Sequence, residues 1–163
     1  MFPEEIESLA RRVVVRATER GLTIVTAESC TGGLVAGAIT EIAGSSAALD
    51  RGFVTYSNAA KARMLGVAEA TLNAHGAVSR ETALEMARGA VEQSDAAISV
   101  AITGVAGPGG GSADKPVGLV HFATAGPDGG LVHVERRFGD IDREAVRRAS
   151  VEQALVMLLE RLG

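Results

Sequence analysis

Two short segments hold the residues best suited to covalent chemistry. Glu28-Ser29-Cys30-Thr31-Gly32-Gly33 places two hydroxyls and a thiol on one turn, with two glycines opening the segment that follows. Free backbone N–H groups at such a turn can bind an anion or stabilise an oxyanion. The same pattern also serves as a plain helix cap, and Ser or Thr caps far more often than it attacks. The turn is neither a Walker A loop nor a G-x-S-x-G elbow. Cys30 is the rival nucleophile, because a thiolate attacks better than an alcohol. It needs a base or a positive field, and no histidine is placed to supply one. A lone cysteine beside a core strand is usually a small buried hydrophobe.

The second segment is Tyr56-Ser57-Asn58-Ala59-Ala60-Lys61, which contains the only tyrosine of the chain. A lysine desolvated beside a strand end can lose its proton and act as a base. Ser–Lys pairs are a known alternative to Ser–His–Asp. A solvated surface lysine is the plainer reading of Lys61 taken alone.

Two further stretches suit binding. Ile102-Thr103-Gly104-Val105-Ala106-Gly107-Pro108-Gly109-Gly110-Gly111 can present backbone amides to a phosphate or an oxyanion. It misses G-x-G-x-x-G, since Ser112 stands at the third glycine. Arg143, Arg147 and Arg148 lie near a helix start, and a planar guanidinium fork fits phosphate or carboxylate. An amphipathic, solvated helix face is the alternative there. His75, His121 and His133 are widely spaced and form no metal-ligand pattern with cysteine or carboxylates, so we expect no metal and no cofactor.

These residues need elements to position them. Residues 1–21 have the spacing of a helix, with Pro3 at its start, Glu4, Glu5 and Glu7 in the first turn and Gly21 as its stop. Leu22–Thr26 predicts a buried strand, so the Ser29 turn joins a strand to a helix over Leu34–Ile42. Ligands of open α/β sheets bind at such carboxyl-end turns. Gly52–Tyr56 predicts a second strand, and Ser57 or Asn58 starts a helix ending at Leu65. Ala68–Ala74 forms a short helical piece, and Ser79 caps a helix over Arg80–Gln93. Ala96–Thr103 is the best central strand. Val117–Thr124 and Leu131–Phe138 are joined as a hairpin by Gly126-Pro127-Asp128-Gly129-Gly130. Asp140 or Asp142 caps a last helix with a stripe of Val151, Leu155, Leu158 and Leu162. The pattern predicts a layered α/β fold: a mixed, mostly parallel sheet, helices on both faces, and a β-hairpin near the C-terminal end. Its 163 residues suit one domain, 1–163.

Composition excludes several classes. Aromatics are 3% and tryptophan is absent, so the core must be built from small aliphatic residues with closely packed helices. The net charge is -4 and no run of Lys/Arg exceeds two residues, which argues against nucleic acid as a partner. No apolar stretch approaches the ~20 residues needed to span a bilayer. One cysteine allows no intramolecular disulfide, and the acidic start lacks the form of a signal peptide. We therefore expect a cytoplasmic protein.

Taken together, separated segments resemble a known family. They are Thr26-Ala27-Glu28-Ser29-Cys30-Thr31-Gly32-Gly33, Gly52-Phe53-Val54-Thr55-Tyr56-Ser57-Asn58 with Lys61, His75-Gly76-Ala77-Val78-Ser79, Thr103-Gly104-Val105-Ala106-Gly107-Pro108 and Lys115-Pro116-Val117-Gly118. In this order they are similar to the carboxyl-terminal domain of the CinA proteins, from about Glu5 to the last helix. Stand-alone members of that family are nicotinamide-nucleotide amidohydrolases. The resemblance implies conversion of nicotinamide mononucleotide and water to nicotinate mononucleotide and ammonia, without metal or cofactor, in a self-associating protein whose partner is a small nucleotide. It implies Ser29 as nucleophile, Lys61 as general base and Tyr56 as the residue that holds Lys61 or relays the proton. It implies that Thr103 and Gly104 line the site and that Arg143 meets the substrate phosphate; with Cys30, Thr31, Gly32, Gly33, Asn58 and Gly107 these are the expected binding residues. Amides near Cys30, Thr31 or Gly104 would stabilise the oxyanion. The competing expectations are a thiol amidase using Cys30 and a non-catalytic nucleotide-binding module that regulates or docks a partner.

Overall fold

Helix α1 (Glu4–Arg20) ends as its glycine promises: Gly21 sits at φ 62°, and the N–H groups of Gly21 and Leu22 bond back to Thr18 and Ala17. Closing that cap occupies Leu22, so strand β1 begins two residues later than the apolar pattern predicts and runs Ile24–Glu28. Glu28 is thus the last residue of the strand and not part of the turn. The computed structural model describes residues 1–163. After the turn come α2 (Leu34–Thr40), a single 3-10 turn at Ser45–Ala47, and β2 (Leu49–Val54). Three helices follow, α3 (Asn58–Leu65), α4 (Glu69–His75) and α5 (Arg80–Glu92). Strands β3 (Ile98–Gly104), β4 (Leu119–Ala125) and β5 (Leu131–Arg137) precede the last helix, α6 (Arg143–Leu162).

The sheet order is β2-β1-β3-β4-β5. β1 pairs parallel with β2 and β3, β4 runs against β3, and β5 runs against β4. Four strands therefore share one direction and β4 alone opposes them, which is the mixed, mostly parallel sheet expected. From β1 the chain moves outward to β2 and then returns past β1 to β3. This places a switch in strand order at the carboxyl end of β1, where α/β sheets open a ligand crevice. The β2 strand lies earlier than predicted because its register follows β1: Glu28 pairs with Val54, so the ladder stops there and Thr55 and Tyr56 lie beyond it. Exposed Asp50 and Arg51 disguise its first residues as loop.

Helices cover both faces. α1, α2 and α6 pack on one side over Ile24, Val100, Ile102, Val120 and Phe122. α3, α4 and α5 pack on the other over Val25, Ala27, Ala101, Ala123 and Ala125. The second layer is built from alanine on both sides, Ala83, Ala87 and Ala90 facing the sheet's alanines. The small residues compensate for the missing aromatics by close approach. Gly89 of α5 marks the limit, because a Cβ there would lie 1.8 Å from the Leu65 carbonyl oxygen. Gly→Ala inside a helix normally stabilises it by ~1 kcal/mol. At Gly89 we expect the opposite sign: a loss of about 2–3 kcal/mol from overpacking. A drop of roughly 5–10 °C in the melting midpoint of Gly89→Ala would report it.

The local signals held where they were local. Ser57 caps α3 and Ser79 caps α5, each hydroxyl accepting a backbone N–H from the third residue on. Asp142 caps α6 through the Ala145 N–H, 2.8 Å away. His121 and His133 come together across the hairpin, with Nδ1 and Nε2 2.9 Å apart. Burial lowers the pKa of both rings. No helix is long and apolar enough to cross a membrane.

Candidate active site

The carboxyl end of β1 carries the turn from Ser29 to Gly33. The Glu28–Ser29 peptide that leads into it is pinned by the sheet on both sides: the Ser29 N–H donates to Ile102 O of β3, and the Thr55 N–H donates to Glu28 O, both at 2.9 Å. Gly33 follows at φ 101°, a conformation closed to side-chain-bearing residues, and launches α2. Glu28, fully buried, reaches forward past the turn and accepts the Val35 N–H (2.8 Å) and the Ala36 N–H (3.0 Å). The first amides of α2 are therefore occupied by Glu28. The free amides lie upstream, at Cys30 and Thr31, whose N–H groups have no partner within the chain although both residues are buried.

Glu28→Gln keeps the shape but turns an NH2 group onto a backbone N–H. We expect it to cost about 1.5–3 kcal/mol, the range for a lost bond to a buried charged group. The urea unfolding midpoint checks this.

Lys61 arrives from the opposite sheet face on α3. Its side chain is 1% exposed. Nζ lies 3.1 Å from Ser29 Oγ and 2.9 Å from Thr55 O. None of the chain's ion pairs includes it. Burial pulls its pKa below the ordinary 10.5. A neutral amine so placed donates one N–H to Thr55 O and offers its lone pair to the Ser29 hydroxyl, which is the geometry of a base on a nucleophile.

Cys30 has the opposite character. Its thiol lies in the apolar core of the α1/α2/α6 layer, and burial pushes its pKa up to about 12. Burial disfavours the thiolate that would attack, which leaves the backbone N–H as what Cys30 can offer.

The other expected site residues divide into two groups. Tyr56 makes no hydrogen bond to Lys61. It is 62% exposed, and its hydroxyl accepts an N–H from Arg143 Nη2 at 3.1 Å. Thr55, one residue earlier and facing inward, holds Lys61 through its carbonyl instead. Arg143 Nη1 donates to Gly107 O at 2.8 Å, so this arginine ties Tyr56 to the glycine-rich loop. Thr103 commits its hydroxyl to Ala77 O at 2.8 Å. Gly104 lets β3 and β4 approach: a Cβ there would stand 2.8 Å from Leu119 O. Asn58 lies in a separate groove with Glu69, Leu72 and Asn73. An open cavity of about 570 Å³ follows the glycine-rich loop and is lined by Pro108 to Ser112, Arg137 and Asp140. Neither Ser29 nor Lys61 lines it.

Sequence reasoning missed the structural parts of Thr55 and Glu28 and misjudged Arg147. Arg147 Nε donates to Cys30 O at 3.1 Å and Nη2 to Thr31 O at 3.4 Å, so it grips the nucleophile turn from α6. The available signal was its spacing: Arg143 and Arg147 are four residues apart and share one helix face.

The sequence model of the CinA C-terminal domain matches residues 6–162. The chain belongs to this family. Among solved CinA relatives, the competence/damage inducible protein CihA from Agrobacterium tumefaciens superposes with a TM-score of 0.99 at 60% identity, over 100% of this chain and 99% of that one. Nicotinamide-nucleotide amidohydrolase PncC of Escherichia coli strain K12 is 51% identical over 99% of this chain and 97% of its own length. A CinA-like protein of Anaeromyxobacter dehalogenans is 49% identical over 97% of this chain, which spans 38% of that longer CinA protein.

Proposed function

We propose that the chain hydrolyses the carboxamide of nicotinamide mononucleotide to nicotinate mononucleotide and ammonia. The observation that carries this reading is a buried, unpaired lysine amine 3.1 Å from a serine hydroxyl at the carboxyl end of a central strand. The 51% identity to an amidohydrolase of this name supports the substrate.

Neutral Lys61 takes the Ser29 proton as Oγ attacks the carboxamide carbon. The oxygen of the tetrahedral adduct is held by the unpartnered N–H groups of the turn. Lysinium returns the proton to the amide nitrogen, and ammonia leaves as the C–N bond breaks. Water then attacks the ester carbon, giving its proton to Lys61. Collapse of this second adduct releases nicotinate mononucleotide, and Lys61 restores the Ser29 proton. The pyridinium charge activates the carbonyl and, facing a neutral lysine, meets no repulsion. The Thr55 carbonyl orients Lys61, and Tyr56 with Arg143 forms a wall towards Gly107, where the remaining Arg143 N–H groups can meet the phosphate. The ribose phosphate thereby contributes remote binding that positions the amide.

The same reading includes a cytoplasmic protein with no nucleic-acid partner, in line with the acidic balance and the single buried cysteine, and self-association, which rests on the family resemblance alone. The test is ammonia release from nicotinamide mononucleotide, measured beside free nicotinamide. We expect turnover of the nucleotide and far slower turnover of the free amide. A folded protein that binds the nucleotide and releases no ammonia would leave only the binding-module reading.

A further inference from the structure

The turn that presents Ser29 is held from two sides. Lys61 approaches with the α3/α4/α5 layer, and Arg147 approaches with the α1/α2/α6 layer. Arg147 donates to the Cys30 and Thr31 carbonyls and to no carboxylate, for none of the chain's ion pairs includes it. The Cys30 carbonyl and the Thr31 N–H belong to one planar trans peptide, in which C=O and N–H point in opposite directions. Fixing the carbonyl towards α6 therefore turns the Thr31 N–H away from α6, to the side from which Lys61 arrives. That N–H is one of the two buried turn amides without a partner. A cation on the carbonyl also polarises the peptide and strengthens its N–H as a donor.

We propose that Arg147 is a positioning residue for the hydrolysis: it anchors and polarises the Cys30–Thr31 peptide so that the Thr31 N–H serves as an oxyanion donor beside Ser29. The inference rests on the amidase reading above. Arg147 makes no hydrogen bond to Ser29 or Lys61, and its effect passes through the peptide. Glu28 fixes the far end of the same turn by capping Val35 and Ala36, so the peptide held by Arg147 is the adjustable part between two anchors.

The test compares wild type with Arg147→Ala and Arg147→Lys, following ammonia release from nicotinamide mononucleotide across pH. Removing an oxyanion donor outright costs roughly 10²–10³-fold in kcat. Releasing the peptide that carries it should cost about 10- to 100-fold in Arg147→Ala, with KM within about twofold. The acid limb of the pH profile should stay in place, because Lys61 is untouched. Added guanidinium at non-denaturing concentration should restore part of kcat in Arg147→Ala and none in wild type. Melting curves establish folding, and if Arg147→Ala unfolds, the same kcat loss is read in Arg147→Lys, which keeps the charge but not the fork. A folded variant with kcat near wild type, a loss lying wholly in KM, or a displaced acid limb would each overturn the proposal while wild type still turns over. No ammonia from wild type would overturn the amidase reading and this proposal with it.

Discussion

Ser29→Ala is expected to abolish ammonia release while leaving the fold intact. The hydroxyl makes one side-chain contact, with Lys61 Nζ, and its removal leaves the strand-end backbone bonds to Ile102 and Thr55 in place. Members of a nucleophile–base unit fail together, so the loss should be roughly 10³–10⁶-fold in kcat. Cys30→Ala is the necessary companion. Its thiol is core and stays protonated, so the variant should keep turnover within a few-fold and lose some stability from the small cavity. Initial rates for the pair, with circular dichroism to confirm folding, separate serine from thiol chemistry. Turnover surviving in Ser29→Ala and lost in Cys30→Ala would reverse the assignment.

Lys61 carries the second large effect. Lys61→Met fills much the same volume without a lone pair to accept the serine proton, and Lys61→Arg substitutes a group that stays protonated at any working pH. Both should lose at least about 10³-fold in kcat. The pH profile of the wild type gives the sign. The base must be neutral, so kcat/KM rises with pH as Lys61 loses its proton and levels off above its pKa. Because burial lowers that pKa from 10.5, the rise comes earlier than an exposed lysine would allow. The neighbouring Cys30 thiol, itself pushed up to about 12 by burial, opposes this lowering without cancelling it. A profile that falls with pH through this range would contradict Lys61 as base.

Features set by near neighbours were legible in the residues. Ser57 and Ser79 as caps, Gly21 as a stop, and the hairpin around Asp128 each follow from a few adjacent side chains. The layered α/β class with a hairpin was legible as well, in the alternation of strand and helix, but not the order of the strands. What the sequence hid depends on which way a side chain leaves a strand end. Thr55 and Tyr56 alternate, so one faces Lys61 and the other faces solvent and Arg143, and a shift of two residues in the β2 boundary concealed which was which. Glu28 looked like part of the turn because β1 seemed to end at Thr26, whereas its place at the strand end aims its carboxylate at α2. Arg143 and Arg147 share a helix face, yet one turn of α6 separates a contact with Gly107 from a contact with Cys30. The pairing of Ser29 with Lys61 spans 32 residues and two sheet faces. No local pattern encodes it, and at the sequence level only the family resemblance linked the two residues.

The most direct test of the Ser29–Lys61 account is to find the acyl group. The protein is mixed with nicotinamide mononucleotide at the acid edge of its activity, quenched in acid, digested, and its peptides weighed. The account predicts a nicotinoyl-nucleotide adduct on the peptide containing Ser29, located on Ser29 itself and absent from Ser29→Ala. An adduct on Cys30, or turnover that persists in Ser29→Ala with no adduct on Ser29, would contradict it.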